Sequence, residues 1–398
     1  MSSMRIAMFS DFFHPELGGI QDSVAATAEA LGRRGHKIEI HVPRYAKRDY
    51  RRAELEPQEV ELGDGVAIRR RASLHVPSST QQSRISVPSA LALVRLFRRT
   101  RPDIIHAHSF LGLGLEAVLA GGLLGIPVVG TNHTAIQAFT PYLPIKASWA
   151  KGYVIWFHNR CDFVTAPSRS VVDELGPDWL KRPHQVISNP IDTARFCPAT
   201  PDERAQLKAE LNLSAETITY AGRLGPEKKV DVLIRAVALL RSQHPAVMLA
   251  IAGHGSHEAS LRKLTMQLGL GQQVVFLGTL SKAKLARLLR ASDVFAMMST
   301  SETQSMALLQ AMACAIPVVA ANSRALPEFV TPETGFLLPP DDPQTLAHQL
   351  SLLLGSADCR LRVGAAGKSS VQPYSTERVT DKWETLYGVI TAKGMHRE

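Results

Sequence analysis

A chain of 398 residues is too long for one ordinary domain and suits two of about 200 residues each. With 45% hydrophobic and 20% charged residues it argues against disorder, collagen-like repeats and coiled coil, and 45 Lys+Arg over 36 Asp+Glu leave a modest +9. Four cysteines (Cys161, Cys197, Cys314, Cys359) stand far apart with no C-x-x-C pair, which argues against a disulfide framework or a zinc cluster and fits a reducing compartment.

The first apolar run stops at Asp11, too early for a signal-peptide core, and predicts a strand over Arg5 to Phe9. A helix over Ser23 to Arg34 follows, closed by Gly35, and then a strand over Lys37 to Val42. Basic residues then crowd together: Arg44, Lys47, Arg48, Arg51 and Arg52, followed by Arg69 to Arg71. Each group suits either an anionic partner or an ordinary solvated face. A helix over Ser89 to Arg99, a strand over Asp103 to Ala107 and a Gly/Leu/Ala helix come next. Ala117 to Val129 is the longest apolar run. It holds Gly121, Gly122 and Pro127 and falls short of the roughly 20 residues of a membrane span, so it predicts a helix leading into a buried strand over Pro127 to Gly130. Cys161 to Thr165 and Gln185 to Ile187 complete the strands of this half.

Alternation pauses around Asn189-Pro190-Ile191-Asp192 and a polar stretch, then resumes. Strands are predicted at 217–221, 247–252, 274–277, 294–297 and 316–320. Helices are predicted at 230–241, 257–268, 282–291 and 305–313. Repeated βαβ units predict two Rossmann-like, doubly wound parallel sheets joined near residue 190, with ligands bound in a cleft beyond the carboxyl ends of the strands.

Three segments bear on chemistry. Gly112-Leu-Gly114-Leu-Glu-Ala117 has the spacing of a dinucleotide fingerprint, but Asn132 stands where the acidic ribose ligand belongs, so helix-start packing is the better reading. Gly222-Arg223-Leu-Gly-Pro-Glu-Lys228-Lys229 runs from a strand end toward a helix N-terminus, where two fixed cations suit a diphosphate as well as they suit a bare surface loop. Glu302 leaves a strand end just before a helix. There it can accept hydroxyl hydrogen bonds from a sugar or simply favour the first helical turn.

Taken in order, these segments resemble the family 4 retaining glycosyltransferases of GT-B fold, over nearly the whole chain. The resemblance rests on Phe13-His-Pro-Glu-Leu-Gly18-Gly19, Ile105-His-Ala-His108, Thr131-Asn-His133-Thr134 and Ser188-Asn189-Pro190-Ile-Asp192. In the second half it rests on Gly222 to Lys228, Ala252-Gly253-His-Gly255, Phe276-Leu-Gly278 and Glu302 to Gln310. The Glu302-Thr-Gln string and the Thr131-Asn-His-Thr segment resemble those of bacterial diacylglycerol glucosyltransferases, and phosphatidylinositol mannosyltransferases are similar too.

The resemblance implies an acceptor-binding domain over residues 1–191, a nucleotide-sugar-binding domain over 192–375 and a C-terminal helix over 376–398 returning to the first domain. It implies a UDP- or GDP-hexose as co-substrate, no cofactor, and metal-independent chemistry, in keeping with the lack of a D-x-D pair. By position, His108 meets the transferring sugar, Arg223 and Lys228 clamp the leaving diphosphate, and Glu302 binds hexose hydroxyls. Gly18 and Gly19 admit the diphosphate. Gly253, Gly278, Gln304, Ser305, Met306 and Gln310 line the donor, and His133 and Thr134 the acceptor side. A lone His108 in an apolar strand also fits a packed core.

Five positions depart from the family pattern. Gln310 replaces the second Glu of the E-x7-E pattern, at a cost of about 1 kcal/mol in charge-assisted bonding. Ser305, Lys229 and the Ser323-Arg324 pair stand where glycine is common.

The implied acceptor is a membrane lipid or a saccharide. Arg95, Arg98, Arg99 and Arg101 beside Leu91, Leu93, Leu96 and Phe97 suit an anionic membrane surface, or else an amphipathic helix packed on its own sheet. A soluble acceptor, or a catalytically silent nucleotide-sugar binder, are the other classes. Only 6% aromatic residues and no recognition motif argue against nucleic acid. The location expected is cytoplasmic, with peripheral attachment to the inner face of the plasma membrane if the acceptor is a lipid.

Overall fold

The computed structural model describes residues 3–394 apart from 17, 53–55, 76–83, 88, 135–145 and 177, so Leu17 of the segments above lies outside the described residues. Its elements run in order β1 (Arg5–Phe9), α1 (Gly19–Arg33), β2 (Lys37–Pro43), α2 (Lys47–Arg52), β3 (Val66–Arg71), β4 (Ser73–His75), β5 (Arg84–Ser86), α3 (Ala90–Thr100), β6 (Ile104–Ala107) and α4 (Gly112–Leu124). Next are β7 (Val128–Thr131), α5 (Ala147–His158), β8 (Phe163–Ala166), α6 (Arg169–Leu175), β9 (His184–Val186), α7 (Pro201–Glu210), β10 (Glu216–Ala221), α8 (Val230–Leu240), β11 (Val247–Ala252) and α9 (Glu258–Gln267). The chain ends with β12 (Val274–Gly278), α10 (Lys282–Ala291), β13 (Val294–Met297), α11 (Met306–Ala313), β14 (Val318–Ala321), α12 (Leu326–Phe329), β15 (Gly335–Leu338), α13 (Pro343–Gly355), α14 (Ala357–Val371) and α15 (Thr376–Gly394).

The chain divides into two compact units, Met1–Pro190 with Thr376–Glu398, and Ile191–Ser375. In the first, seven parallel strands lie in the order β3-β2-β1-β6-β7-β8-β9. Parallel strands covered on both faces read as continuous apolar runs, and β6 and β7 are buried at every position. One face packs against α3, α4 and α5 through Phe97, Leu113, Val154 and Phe157. The opposite face packs against α1 and α15 through Val24, Leu31, Trp383 and Tyr387. Burying each such large side chain contributes about 1.5–3 kcal/mol. The helix α15 is further fixed by Arg34, which reaches Asp381 at 2.7 Å and Glu384 at 2.5 Å.

Two readings of this unit change in three dimensions. The run Arg69 to Arg71 forms the edge strand β3, each guanidinium meeting a carboxylate: Arg69 with Glu39, Arg70 with Glu59 and Arg71 with Glu116. Helix α1 starts at Gly19, a full turn before Ser23, and closes where expected, with the His36 N–H donating to the Leu31 carbonyl at 3.2 Å across Gly35. The glycine reading at 112–114 stands: a β-carbon on Gly114 would lie 1.7 Å from the Ser109 carbonyl oxygen, so the residue serves close packing.

The second unit has six parallel strands in the order β12-β11-β10-β13-β14-β15. Its polar opening stretch, read as a pause, contains α7. Thr200 accepts the Glu203 N–H while the Glu203 side chain accepts the Thr200 N–H, a capping box with Pro201 at the first turn. The strand β15, also unread in the sequence, is four residues long. Among the described residues no helix is long and apolar enough to cross a membrane.

Candidate active site

Strand order decides where ligands can bind. In an open parallel sheet the loops at the carboxyl ends of two strands diverge to opposite faces where the winding reverses, and a crevice opens there. The reversal falls between β10 and β13 in the second unit, and between β1 and β6 in the first. The segments Phe13 to Gly19, His108, Gly222 to Lys229 and Glu302 leave these four strands, and His133 follows the neighbouring β7.

After β10, Tyr220 donates from its hydroxyl to the Arg223 carbonyl at 2.8 Å and shapes the turn. Arg223 Nη2 meets Glu227 Oε1 at 2.6 Å. The Glu227 carbonyl accepts the Thr300 N–H at 3.0 Å, tying this loop to the one after β13. Across that junction Lys228 Nζ lies 2.6 Å from Glu302 Oε1, both largely shielded from water. Burial alone would raise the Glu302 carboxyl, but the Lys228 charge and hydrogen bond outweigh it and hold the group below the usual carboxylate range. Lys228 has three N–H donors, so the ion pair leaves capacity for a phosphate oxygen.

Behind this pair the backbone is drawn tight. Gly253 donates its N–H to the Gly278 carbonyl at 2.7 Å, and a β-carbon on Gly253 would lie 1.8 Å from the Gly222 carbonyl oxygen. Only glycine permits that layering at the ends of β10, β11 and β12.

Downstream of Glu302, Gln304 and Ser305 are buried, and the Ser305 hydroxyl caps α11 by accepting the Leu308 N–H at 3.3 Å. The side chain at this glycine-favouring position thus packs inward onto Met297 and the helix end. Met306 opens the helix half-buried, and Gln310 is buried along it. Lys229 (φ 51°) and Arg324 (φ 53°) both adopt the left-handed conformation, which explains physically why glycine suits those positions; an L-residue costs about 1–2 kcal/mol there.

In the first unit the chain leaving β1 carries Gly18 and Gly19 into the start of α1. Arg70 holds this loop, donating to the His14 carbonyl at 2.9 Å while its guanidinium lies over the Phe13 and Tyr45 rings. Glu16, unnoticed in the sequence, is buried beneath it and accepts the Tyr45 hydroxyl proton at 2.8 Å. Burial pushes its carboxyl up to about 7.

At the ends of β6 and β7 three histidines meet, His106 within β6 and His108 and His133 just beyond β6 and β7. His108 Nδ1 lies 3.1 Å from His133 Nε2, so residues expected on the sugar and acceptor sides form one hydrogen-bonded pair. The His106 ring lies 3.7 Å from that of His108, tilted by 34°, and bonds at both nitrogens, Nδ1 to the Tyr387 hydroxyl and Nε2 to Thr131 Oγ1, each at 2.6 Å. Burial pushes all three imidazoles toward the neutral form, His133 to about 4. His108 Nε2 is buried with no protein partner among the described residues. Thr134 is half-buried, its N–H bonded to the Asn132 side chain. His106 was legible as part of the Ile105-His-Ala-His108 segment. Its partner Tyr387, far along the chain, was not.

The arginine-rich helix divides. Leu93 and Phe97 of α3 enter the core, whereas Arg95, Arg98, Arg99 and Arg101 are exposed.

Residues 17–195 match the profile of Glycosyltransferase Family 4, and residues 202–370 that of Glycosyl transferases group 1. The chain belongs to the family 4 glycosyltransferases. Similar curated proteins include the D-inositol 3-phosphate glycosyltransferase of Jonesia denitrificans, 28% identical over 94% of this chain and 91% of that protein. Another is the alpha-monoglucosyldiacylglycerol synthase of Streptococcus pneumoniae, 26% identical over 82% of this chain and 73% of its own. Among solved structures, Anabaena Alr3699/HepE, crystallised with UDP and glucose, superimposes with a TM-score of 0.77 at 20% identity, covering 96% of this chain and 99% of its own. That likeness supports the GT-B fold. This family 4 glycosyltransferase therefore carries its cations and its Glu302 at one switch point and its histidines at the other.

Proposed function

We propose that the protein transfers a hexose from a UDP- or GDP-hexose to a membrane lipid, with retention at the anomeric carbon and without a metal ion. The observation that carries the reading is the Lys228–Glu302 pair at 2.6 Å beside Arg223, at the second unit's switch point. When the bond from the anomeric carbon to the β-phosphate oxygen breaks, negative charge develops on the leaving diphosphate. Arg223 and Lys228 are fixed there to stabilise it. Glu302, kept ionised, accepts hydrogen bonds from hexose hydroxyls, and Gln310 takes the ribose with neutral bonds.

His108 and His133, held neutral, exchange hydrogen bonds with the sugar without adding a charge beside an oxocarbenium-like centre. No side chain is assigned as nucleophile. The acceptor hydroxyl attacks from the leaving-group side, its proton passing to a phosphate oxygen as the glycosidic bond forms. Gly18 and Gly19, at the first turn of α1, bring backbone N–H groups toward the diphosphate.

A lipid acceptor is supported by the Streptococcus pneumoniae relative. The deciding experiment gives purified protein labelled UDP- and GDP-hexoses with a bacterial lipid extract and counts the organic phase against an enzyme-free control. Label entering that phase with one donor is the expected result. Label remaining aqueous with every extract overturns the lipid assignment. A soluble polar acceptor is the second reading, favoured by the inositol 3-phosphate named for the Jonesia relative. It predicts transfer to a water-soluble product.

A further inference from the structure

Three of the four tryptophans fall within one stretch of the first unit and face solvent: Trp149 is 74% exposed, Trp156 39% and Trp179 65%, while Trp383 is buried. Folded proteins normally shield this much indole. On α5, Trp149, Tyr153 and Trp156 recur at intervals of four and three, which lines their rings along one side of the helix. The other side, Ala150, Val154 and Phe157, belongs to the core shared with α3 and α4. Because the three helices cover the same face of the sheet, their outer surfaces look the same way.

That outer surface is apolar and cationic. Arg160 lies 3.7 Å above the Trp156 ring. Helix α4 adds Leu119 and Leu123, the latter 70% exposed, and α3 adds Leu91 at 76%. Beside Leu91 stand Arg95, Arg98 and Arg99, none of them in an ion pair among the described residues. The three helices together contain a single acidic residue, Glu116, and it is buried against Arg71.

We propose that this side of the first unit docks on an anionic lipid bilayer. The indoles and leucines enter the headgroup level, where amphipathic rings partition best, and the arginines meet lipid phosphates. A second copy of this chain fits poorly, since a two-fold contact would set one carboxylate-free arginine face on another. The inference deepens the lipid-acceptor reading and rests on it only for purpose, because binding can be measured without turnover.

The test is co-sedimentation of the full chain with phosphatidylcholine vesicles, with and without phosphatidylglycerol, followed also by tryptophan fluorescence. The wild type should pellet only with phosphatidylglycerol, its emission shifting to the blue and quenching with brominated lipid. Arg95→Gln/Arg98→Gln/Arg99→Gln should weaken partition about a hundredfold, from roughly fivefold per cation. Trp149→Ser/Trp156→Ser should weaken it about tenfold or more. Both variants change exposed side chains and should keep the wild-type melting curve and nucleotide affinity. Vesicle binding that ignores phosphatidylglycerol, or survives both variants, overturns the proposal. So does a concentration-dependent dimer that both variants dissociate while vesicles are ignored. Vesicle binding without transfer to any lipid leaves the surface standing and removes the acceptor reading. Transfer to detergent-dispersed lipid without vesicle binding does the reverse.

Discussion

The two switch points solve opposite electrostatic problems. At the end of β10 and β13, charges are kept: Glu302 is buried yet held ionised because Lys228 is 2.6 Å away. At the ends of β1, β6 and β7, charges are suppressed: burial pushes His106, His108 and His133 toward the neutral form and Glu16 up to about 7. Burial acts on both, and what separates them is whether a counter-charge is built in within hydrogen-bond distance. A site that stabilises a leaving diphosphate needs the first arrangement. A site that touches a sugar without repelling its developing positive charge is served by the second.

Removing the counter-charge breaks the contrast most sharply. Lys228→Ala leaves Glu302 a buried carboxylate without its ion-pair partner and, in the proposed mechanism, takes one cation from the leaving group. Transfer should fall by about 10²–10³ in kcat, read by steady-state kinetics, and the Glu302 carboxyl should rise. Lys228→Ala/Glu302→Gln should not restore turnover but should recover thermal stability.

Glu16 tests the suppressed side. Its pKa is about 7 in the fold against an ordinary value near 4.5, so the folded state binds a proton that the unfolded state has released. Its stability is therefore fully present below about pH 4.5 and lost as pH rises through about 7. The loss amounts to about 3 kcal/mol. Glu16→Gln, which can still accept the Tyr45 hydroxyl proton, should remove that slope in urea titrations run from pH 5 to 8. An unchanged slope would mean that Glu16 is already ionised in the fold.

Tyr387→Phe keeps the ring between α15 and the sheet and deletes only the hydroxyl on His106 Nδ1. A loss of about 1–2 kcal/mol is expected by chemical denaturation, from a buried nitrogen left without its partner. The smallest effect should come from Gln310→Glu. With Gln310 on the ribose as proposed, the carboxylate's charge-assisted bonds should tighten nucleotide binding by about 1 kcal/mol, or several-fold in Kd by calorimetry. Weaker binding would place that side chain away from the ribose.

Much of the fold was legible because its signals are local. The strand at Arg5–Phe9 and the helix at Lys282–Ala291 coincide with their predicted spans, since hydrophobic period and flanking caps are written within a few residues. The helix α7 was legible too, in Thr200-Pro-Asp-Glu203, but the surrounding polarity hid a helix that buries none of its residues fully. The strand β3 was hidden by its arginines, whose carboxylate partners lie up to 45 residues away. The aromatic side of α5 was hidden because nothing local says which side of a nearly apolar helix meets the core.

What the sequence by itself determined is the alternation of strands and helices, the two-sheet class and the glycine and cation loops at strand ends, because each is set by neighbours along the chain. Tertiary structure alone decided which groups became partners: Lys228 with Glu302 across 74 residues, His106 with Tyr387 across 281, and His108 with His133. The reason is physical. Period and capping are short-range properties, whereas burial and counter-charge, which fix whether a group is ionised, depend on what the winding of the sheet brings within hydrogen-bond distance.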